Sequence, residues 1–526
     1  MISAFVNFRQ DDYRHTPVDR VNQPGEYLSA YSGAAEVNKL FSSSSANPKE
    51  ITIALARGNQ ITLSQVVEHH LDRYRSRDRK IHAWAYLDED LVKAEARRLD
   101  DIPPKERGPL HGMIVGVKDM IYTKDMPTQH GSKIYDGHFL ENDAPCVAVL
   151  RSLGALILGK THTTEFAAIH VGKETTNPFD QARTPGGSSS GSAAAVSDWQ
   201  CHVALGTQTV GSTIRPGSFN GIFSMKFTFG AVSREGLKMC ANSLDTLGVF
   251  ARSLTDIELI TSALGIHDDI PPSVTFKSIS QLKFAYVKTS QWDPNGECVS
   301  SELQNAWVSS QDSLRKAGAV VEEVELGPAF DFASTPSNLT IMYAENRASF
   351  LAEYTLFKDK LDDSLVGHVD NRLNISRKQL IEAYDRVASL RPVIDRIASQ
   401  YDAIVTPSAP GVAPVGLKHT GDARYCGMWT SLHIPCINIP GFTNGEGLPI
   451  GLTLVGPRFE DERLISVAKG CFKAWASNPV FARVILETAP KGASHCVLED
   501  DIDASKEYMS HRHEVGLKCK GVQERE

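Results

Sequence analysis

The stretch Thr184–Ser218, TPGGSSSGSAAAVSDWQCHVALGTQTVGSTIRPGS, constrains the fold of this chain more than any other. It opens on a glycine/serine loop, passes through an alanine-rich run and closes on a second glycine/serine turn. A flexible linker carries no apolar run in its middle, and a helix interior disfavours this much glycine. The pattern therefore predicts two backbone turns facing one another, each presenting a hydroxyl. Ser188 and Ser212, each preceded by a glycine, mark the two turns and stand 24 residues apart.

The elements around this stretch alternate. Order is expected to begin at the T-x-x-Q capping box Thr62/Gln65, after which Leu63, Val66, Val67, Leu71 and Tyr74 share one helix face. Ala83–Leu87 reads as a strand and Asp90–Leu99 as a charged helix. The apolar run Met113–Val117 has strand length and delivers Lys118 at its end. A helix at Val147–Leu153 and a strand at Ala155–Leu158 follow. Such alternation predicts an α/β fold, a large twisted mixed sheet covered by helices on both faces. Further strands are expected at Val203–Leu205, Phe284–Val287, Val320–Val324, Ile404–Thr406 and Ile450–Val455. Helices are expected at Ser253–Leu264 and Ser376–Ile397, the latter opened by the S-x-x-Q box Ser376/Gln379. We expect an N-terminal extension over 1–45, a single domain over 46–485 and a polar tail over 486–526. Within the domain we place a core at about 110–265 and an irregular cap or insert at about 265–375.

Composition narrows the function by exclusion. Of 526 residues, 41% are hydrophobic and 22% charged, as in ordinary globular proteins. A net charge of −8 with pI near 6.1 argues against nucleic acid as a partner. No apolar run approaches the roughly 18 residues of a membrane span. The N-terminus MISAFVNFRQDDYRH shows no basic-then-apolar export signal, so a cytoplasmic location is expected. Nine scattered cysteines without a C-x-x-C fit reduced thiols better than a disulfide framework or a zinc site. Histidines number 17, yet none forms H-E-x-x-H, and His511-Arg512-His513 reads as part of a solvated tail. Neither a metal nor an organic cofactor is expected.

The chemistry concentrates in three places. Gly186-Gly187-Ser188-Ser189-Ser190-Gly191-Ser192 leads into Ala193–Val196 and is expected to open a helix, whose terminal N–H groups favour negative charge. It lacks the Lys-Ser/Thr pair of a phosphate loop and is no G-x-G-x-x-G. It does match G-x-S-x-G, but that elbow must leave a buried strand, and Asp180–Pro185 is polar and proline-broken. Gly206–Ser212 follows the apolar run Val203–Leu205. A serine there presents its hydroxyl while the N–H groups of Thr209, Val210, Gly211 and Ser212 stand where an oxyanion hole would be built. Lys118 closes the apolar run. At pH 8 an ordinary lysine is neutral in only ~0.4% of molecules, whereas burial lowering its pKa by about 2–3 units makes the base form a large fraction. Such a lysine takes a proton from serine without a histidine.

Together Val117-Lys118-Asp119, Gly186–Ser192 and Gly206–Ser218 resemble the amidase signature family of serine hydrolases. The resemblance runs from about residue 60 to 475. It also takes in GPLHGM before the lysine, Ser243–Gly248 (SLDTLG), PCINIP and GLPIGLTLVG. It implies a Ser–Ser–Lys triad: Ser212 the nucleophile that forms the acyl-enzyme, Ser188 the bridging serine, joined to Ser189 by a cis peptide bond, and Lys118 the neutral base. The implied reaction is cleavage of a small or medium carboxamide to a carboxylate and ammonia or an amine. The implied partner is a small-molecule amide, and a homodimer is compatible with the resemblance. Three positions depart from the family's usual G-T-D-T-G-G-S turn and its surroundings. Gln208 and Val210 replace its aspartate and first glycine, Arg215 stands one place later than the usual arginine, and Ser190 replaces a glycine. Two other readings share the signature: the amidase component of a glutamine-dependent aminoacyl-tRNA amidotransferase, and a catalytically silent scaffold. Substrate walls are expected from Met120–Thr123, Glu165–Phe166, 265–375 and Tyr425–Trp429.

Overall fold

The computed structural model describes residues 62–270, 278–292 and 299–476. The expected extension over 1–45 and the tail over 486–526 lie outside the described residues. Eleven strands are β1 (Trp84–Tyr86), β2 (Ile114–Lys118), β3 (Leu156–Thr161), β4 (Val203–Gln208), β5 (Phe223–Lys226), β6 (Thr246–Ala251), β7 (Lys283–Tyr286), β8 (Val320–Glu323), β9 (Ala403–Pro407), β10 (Cys436–Thr443) and β11 (Pro449–Val455). The helices in the first half are α1 (Leu63–Ile81), α2 (Glu89–Asp100), α3 (Pro145–Ser152), α4 (Ser190–Ser197), α5 (Ile214–Phe219) and α6 (Leu254–Ala263). Those in the second half are α7 (Ser301–Lys316), α8 (Ser337–Ser349), α9 (Leu351–Phe357), α10 (Asp363–Val369), α11 (Arg377–Ala398), α12 (Gly427–Ser431) and α13 (Asp461–Ala476).

All eleven strands join one sheet in the order β1-β3-β2-β4-β6-β5-β10-β11-β9-β7-β8. β2 runs parallel to both β3 and β4, and β7 parallel to β8 and β9, while β4 to β11 are linked through antiparallel pairs. Strand alternation sorts the side chains to two faces. Val115 and Val117 of β2 and Val203 and Leu205 of β4 join α3, α6, α7 and α13 in one apolar cluster. Ile114 and Ala204 point the other way, into a cluster with α1, α2 and α4. Helices α8, α11 and α12 cover the same side farther along.

The caps at Thr62/Gln65 and Ser376/Gln379 both form, side chain to backbone in each direction. The alanine-rich run becomes α4, whose residues Ser190–Val196 are all buried. An all-round small helix of this kind lies inside a protein. Gly191 permits it to approach the sheet, because a Cβ there would come within 2.1 Å of the Ala83 carbonyl oxygen.

The stretch 265–375 is more regular than expected. It supplies β7, β8 and the intervening α7 to the edge of the main sheet, and α8 to α10 to its cover. The solvated edge strand β8 exposes three of its four residues, which erases the alternation that marks a half-buried strand. β7 and β8 nevertheless fall where strands were expected, whereas β5, β6 and β10 are strands that sequence reading did not anticipate.

Candidate active site

Lys118 ends β2 and is fully buried. By strand alternation it follows Ile114 to the side of the sheet on which α4 lies. The loop entering α4 therefore arrives over its side chain. Nζ of Lys118 lies 2.7 Å from Ser188 Oγ, 3.0 Å from Ser189 Oγ and 2.8 Å from Thr207 Oγ1. Burial lowers its pKa to about 7, against the opposing pull of Asp245 and Cys240. Among the described residues, three hydroxyls and no carboxylate thus hydrogen-bond the ammonium, and a neutral amine becomes accessible near pH 7.

The two adjacent serines differ in what their protons do. Ser189 Oγ donates to the Thr207 carbonyl (3.2 Å) and accepts from the Thr207 N–H (3.3 Å) as well as from Lys118. Its proton is committed. Ser188 Oγ has Lys118 as its partner and also lines a pocket with Ser212. Gly206 keeps Ser189 in place, since a Cβ there would lie 2.8 Å from Ser189 Oγ and 2.6 Å from the Phe250 ring.

The cis peptide bond lies between Gly187 and Ser188, one residue before the position expected from the resemblance. Gly187 carries no Cβ to meet Thr420, whose Cγ2 lies 2.6 Å from where one would stand. Arg215 holds the Gly187 carbonyl at 2.5 Å and also donates to the Gly421 carbonyl and the Thr420 hydroxyl. The guanidinium is buried, and burial lowers its pKa to about 10.

The second turn, between β4 and α5, brings Thr209, Val210, Gly211 and Ser212 to the same pocket as Ser188. Among the described residues, the N–H groups of these four make no hydrogen bond within the chain, while the next two, Thr213 and Ile214, are both bound to Gln208 Oε1. The Thr209 hydroxyl is fixed by Asp245 at 2.6 Å. Burial raises the Asp245 pKa to about 6, opposed by its hydrogen bonds from Thr209 and the N–H groups of Cys240 and Ala241. Among the described residues no hydrogen bond joins Ser212 to Ser188. Sequence reading named neither Thr207, Ser189 nor Asp245 as partners. Thr207 and Asp245 lie within the quoted motifs, but only the register of β4 against β2 and β6 shows what they touch.

The pocket is small, a cavity of about 20 Å³, with room for about one water. Ala167–His170, Arg215, Met342, Thr420 and Ala423 complete its lining. The walls expected at Met120–Thr123, Glu165–Phe166 and Tyr425–Trp429 lie beside the lining instead, and Met342 is the contribution of 265–375. Phe166, Met120 and Trp429 pack behind it in the same apolar cluster as Val210. A larger crevice of about 700 Å³ opens beyond the ends of β7 and β8, walled in part by Met428 of α12. Among the described residues no three His, Cys, Asp or Glu side chains converge as metal ligands. The six described cysteines are free and buried, and no described helix is long and apolar enough to cross a membrane.

Comparison with known proteins agrees with this fold. Residues 65–465 match the model of the Amidase family. A chloroplastic/mitochondrial subunit of glutamyl-tRNA(Gln) amidotransferase from Oryza sativa subsp. indica is 31% identical over 466 residues, spanning 77% of this chain and 85% of its own. Among solved structures, native peptide amidase from Stenotrophomonas maltophilia superposes with a TM-score of 0.67 at 26% identity, covering 82% of this chain and 96% of that one. The corresponding glutamyl-tRNA(Gln) amidotransferase subunit from Thermotoga maritima gives 0.64 at 25% identity, covering 78% and 94%. With the family pattern spanning three-quarters of its length and the same fold in these relatives, the chain belongs to the amidase family of hydrolases.

Proposed function

We propose that this protein hydrolyses a linear carboxamide of small or medium size through an acyl-enzyme on Ser212. The observation that carries the reading is the buried Lys118 Nζ, 2.7 Å from Ser188 Oγ, in a setting that lowers its pKa to about 7. Ser212 Oγ attacks the amide carbon, its proton passing to Ser188 Oγ as the Ser188 proton passes to Nζ. The relay closes when the Ser212 hydroxyl turns onto Ser188 around bound substrate, a contact that commonly tightens only in the complex. The free N–H groups of Val210, Gly211 and Ser212 receive the oxyanion, an interaction worth about 10²–10³ in rate per donor. The lysinium then returns its proton through Ser188 to the leaving nitrogen as the C–N bond breaks. Water cleaves the ester by the same route, and the carboxylate departs.

The test is active-site labelling with a fluorophosphonate, paired with ammonia or amine release across a panel of aryl, fatty and dicarboxylic amides. Label on Ser212 and loss of turnover in Ser212→Ala are expected. Full turnover in that variant would refute the assignment. A second reading is favoured by curated relatives that are glutamyl-tRNA(Gln) amidotransferase subunits. In it the same site would release ammonia from glutamine for a partner. Glutaminase activity that appears only with added partner subunits and charged tRNA would select it.

A further inference from the structure

We propose that Gln208 and Thr430 are positioning residues that aim the Gly211 N–H at the oxyanion, and that the site requires a neutral amide at position 208. The inference rests on the reading of Ser212 as nucleophile.

Gln208 is the last residue of β4 and, like Thr430 on α12, is buried. Its Oε1 accepts from the N–H groups of Thr213 (2.8 Å) and Ile214 (2.9 Å). Two donors on one side of the amide fix its orientation, because the amide N–H₂ cannot face them. That N–H₂ therefore lies on the other side, where it donates to Thr430 Oγ1 at 3.0 Å. A threonine hydroxyl has one proton. With a donor on its oxygen, Thr430 gives that proton to a carbonyl, and the nearer of its two is Val210 O at 2.9 Å, the other being Cys426 O at 3.3 Å.

The last link is covalent geometry. In a trans peptide the C=O and the following N–H point in opposite directions, and the Val210–Gly211 bond is trans. Holding the Val210 carbonyl toward α12 turns the Gly211 N–H away from α12. Gly211 lines the pocket beside Ser212, and its N–H has no other partner among the described residues. The chain of contacts thus runs from the first N–H groups of α5, through Gln208 and Thr430, to one oxyanion donor.

A carboxylate at 208 breaks this chain. It would still accept from Thr213 and Ile214, but it only accepts, so it would also draw the Thr430 proton. The Val210 carbonyl would then lose its donor. A protonated carboxyl, by contrast, offers one acceptor and one donor and reproduces the amide.

Three variants test the idea. Thr430→Val should lower kcat by about 10- to 100-fold, up to the loss of one oxyanion donor, with KM changed by less than about threefold. Thr430→Ser, which keeps the hydroxyl, should restore most of that loss. Gln208→Glu should add an alkaline limb to the kcat profile, active where the carboxyl is protonated and falling as it ionises. Among the described residues, the ionisable groups linked to position 208 through its neighbours are Asp245 and Cys240 beside Thr209, Lys118 against Thr207, Arg215 after Ile214 and Cys426 behind Thr430. All of these are common to the parent and the variant, so the added limb reports residue 208. Denaturant melts of each variant confirm that the protein measured is folded. A folded Thr430→Val with kcat within twofold of the parent, or a Gln208→Glu profile that overlays it, overturns the inference. If Ser212→Ala is inactive while Thr430→Val is normal, only the positioning role fails. If Ser212→Ala is active, the underlying reading of the site fails instead.

Discussion

Lysine chemistry gives the most exacting test of the proposed mechanism, because it predicts the shape of a pH profile. Lys118 is buried with three hydroxyls around Nζ and a pKa lowered to about 7. If its neutral form accepts the proton, the acylation rate follows the neutral fraction: about 9% at pH 6, about half at pH 7 and about 91% at pH 8. The rate should therefore rise about tenfold between pH 6 and 8 and then level off. An ordinary lysine, with a pKa near 10.4, would give a rise of about a hundredfold over the same interval and no plateau before about pH 10. The assay is the second-order rate of Ser212 labelling by a fluorophosphonate, which contains no product-release step. Lys118→Met, similar in length but without a base, should label slowly and without the limb centred near pH 7. A parent profile flat from pH 5 to 9, or one climbing tenfold per unit through pH 9, refutes the neutral-lysine reasoning.

Two further outcomes follow from the same geometry. The Lys118 pKa falls on folding, so the unfolded chain holds the extra proton between about pH 7 and 10.4, and stability should rise with pH across that window. Lys118→Met removes the penalty and should be more stable than the parent at pH 7 by a few kcal/mol, at most about 4. The difference should fade toward pH 10 in urea titrations, and a constant difference would disprove it. Val210→Gly removes the side chain that lines the pocket and should shift relative kcat/KM toward bulkier acyl groups by about 10- to 100-fold. It should also cost about 2–3 kcal/mol of stability from the apolar cluster, and an unchanged preference between a small and a bulky amide would show that Val210 does not gate the acyl group.

The parts of the fold legible in sequence were those with a local signature. Lys118 stood out because an apolar run of strand length ends on it, and α4 because small residues follow a glycine/serine turn. Both capping boxes were readable from residues three apart. The strands β5, β6 and β10 were not, because they lie between antiparallel neighbours and are buried throughout or nearly so, which removes the period-two pattern. Within the site, Ser188 and Ser212 could be named from their turns. The distinction between Ser188 and Ser189 could not, since it depends on the Thr207 carbonyl and N–H that occupy Ser189. The pocket lining was misplaced by a few residues for a similar reason. Bulky side chains such as Phe166 and Trp429 fill the layer behind the pocket, and smaller neighbours such as Ala167 and Ala423 form its surface.

The replacement at position 208 joins the two halves of the proposed mechanism. A lysine serves as a base near neutrality only while its surroundings disfavour the ammonium form, and each nearby carboxylate works against that. Asp245 already raises the Lys118 pKa from across Thr209. A second carboxylate at the end of β4 would add to that pull from a position two residues before Val210. Gln208 provides the same two-donor acceptor for the start of α5 without a charge, and its second end supplies the hydrogen bond that a carboxylate lacks. In the proposed mechanism the substitution therefore favours both a neutral base and an aimed oxyanion donor. On this argument Gln208→Glu should move two features of the profile at once: the limb assigned to Lys118 should shift to higher pH, and the limb introduced by the new carboxyl should appear above its own pKa. Appearance of the second without the first would mean that position 208 acts through Thr430 alone and that Asp245 sets the charge felt by Lys118.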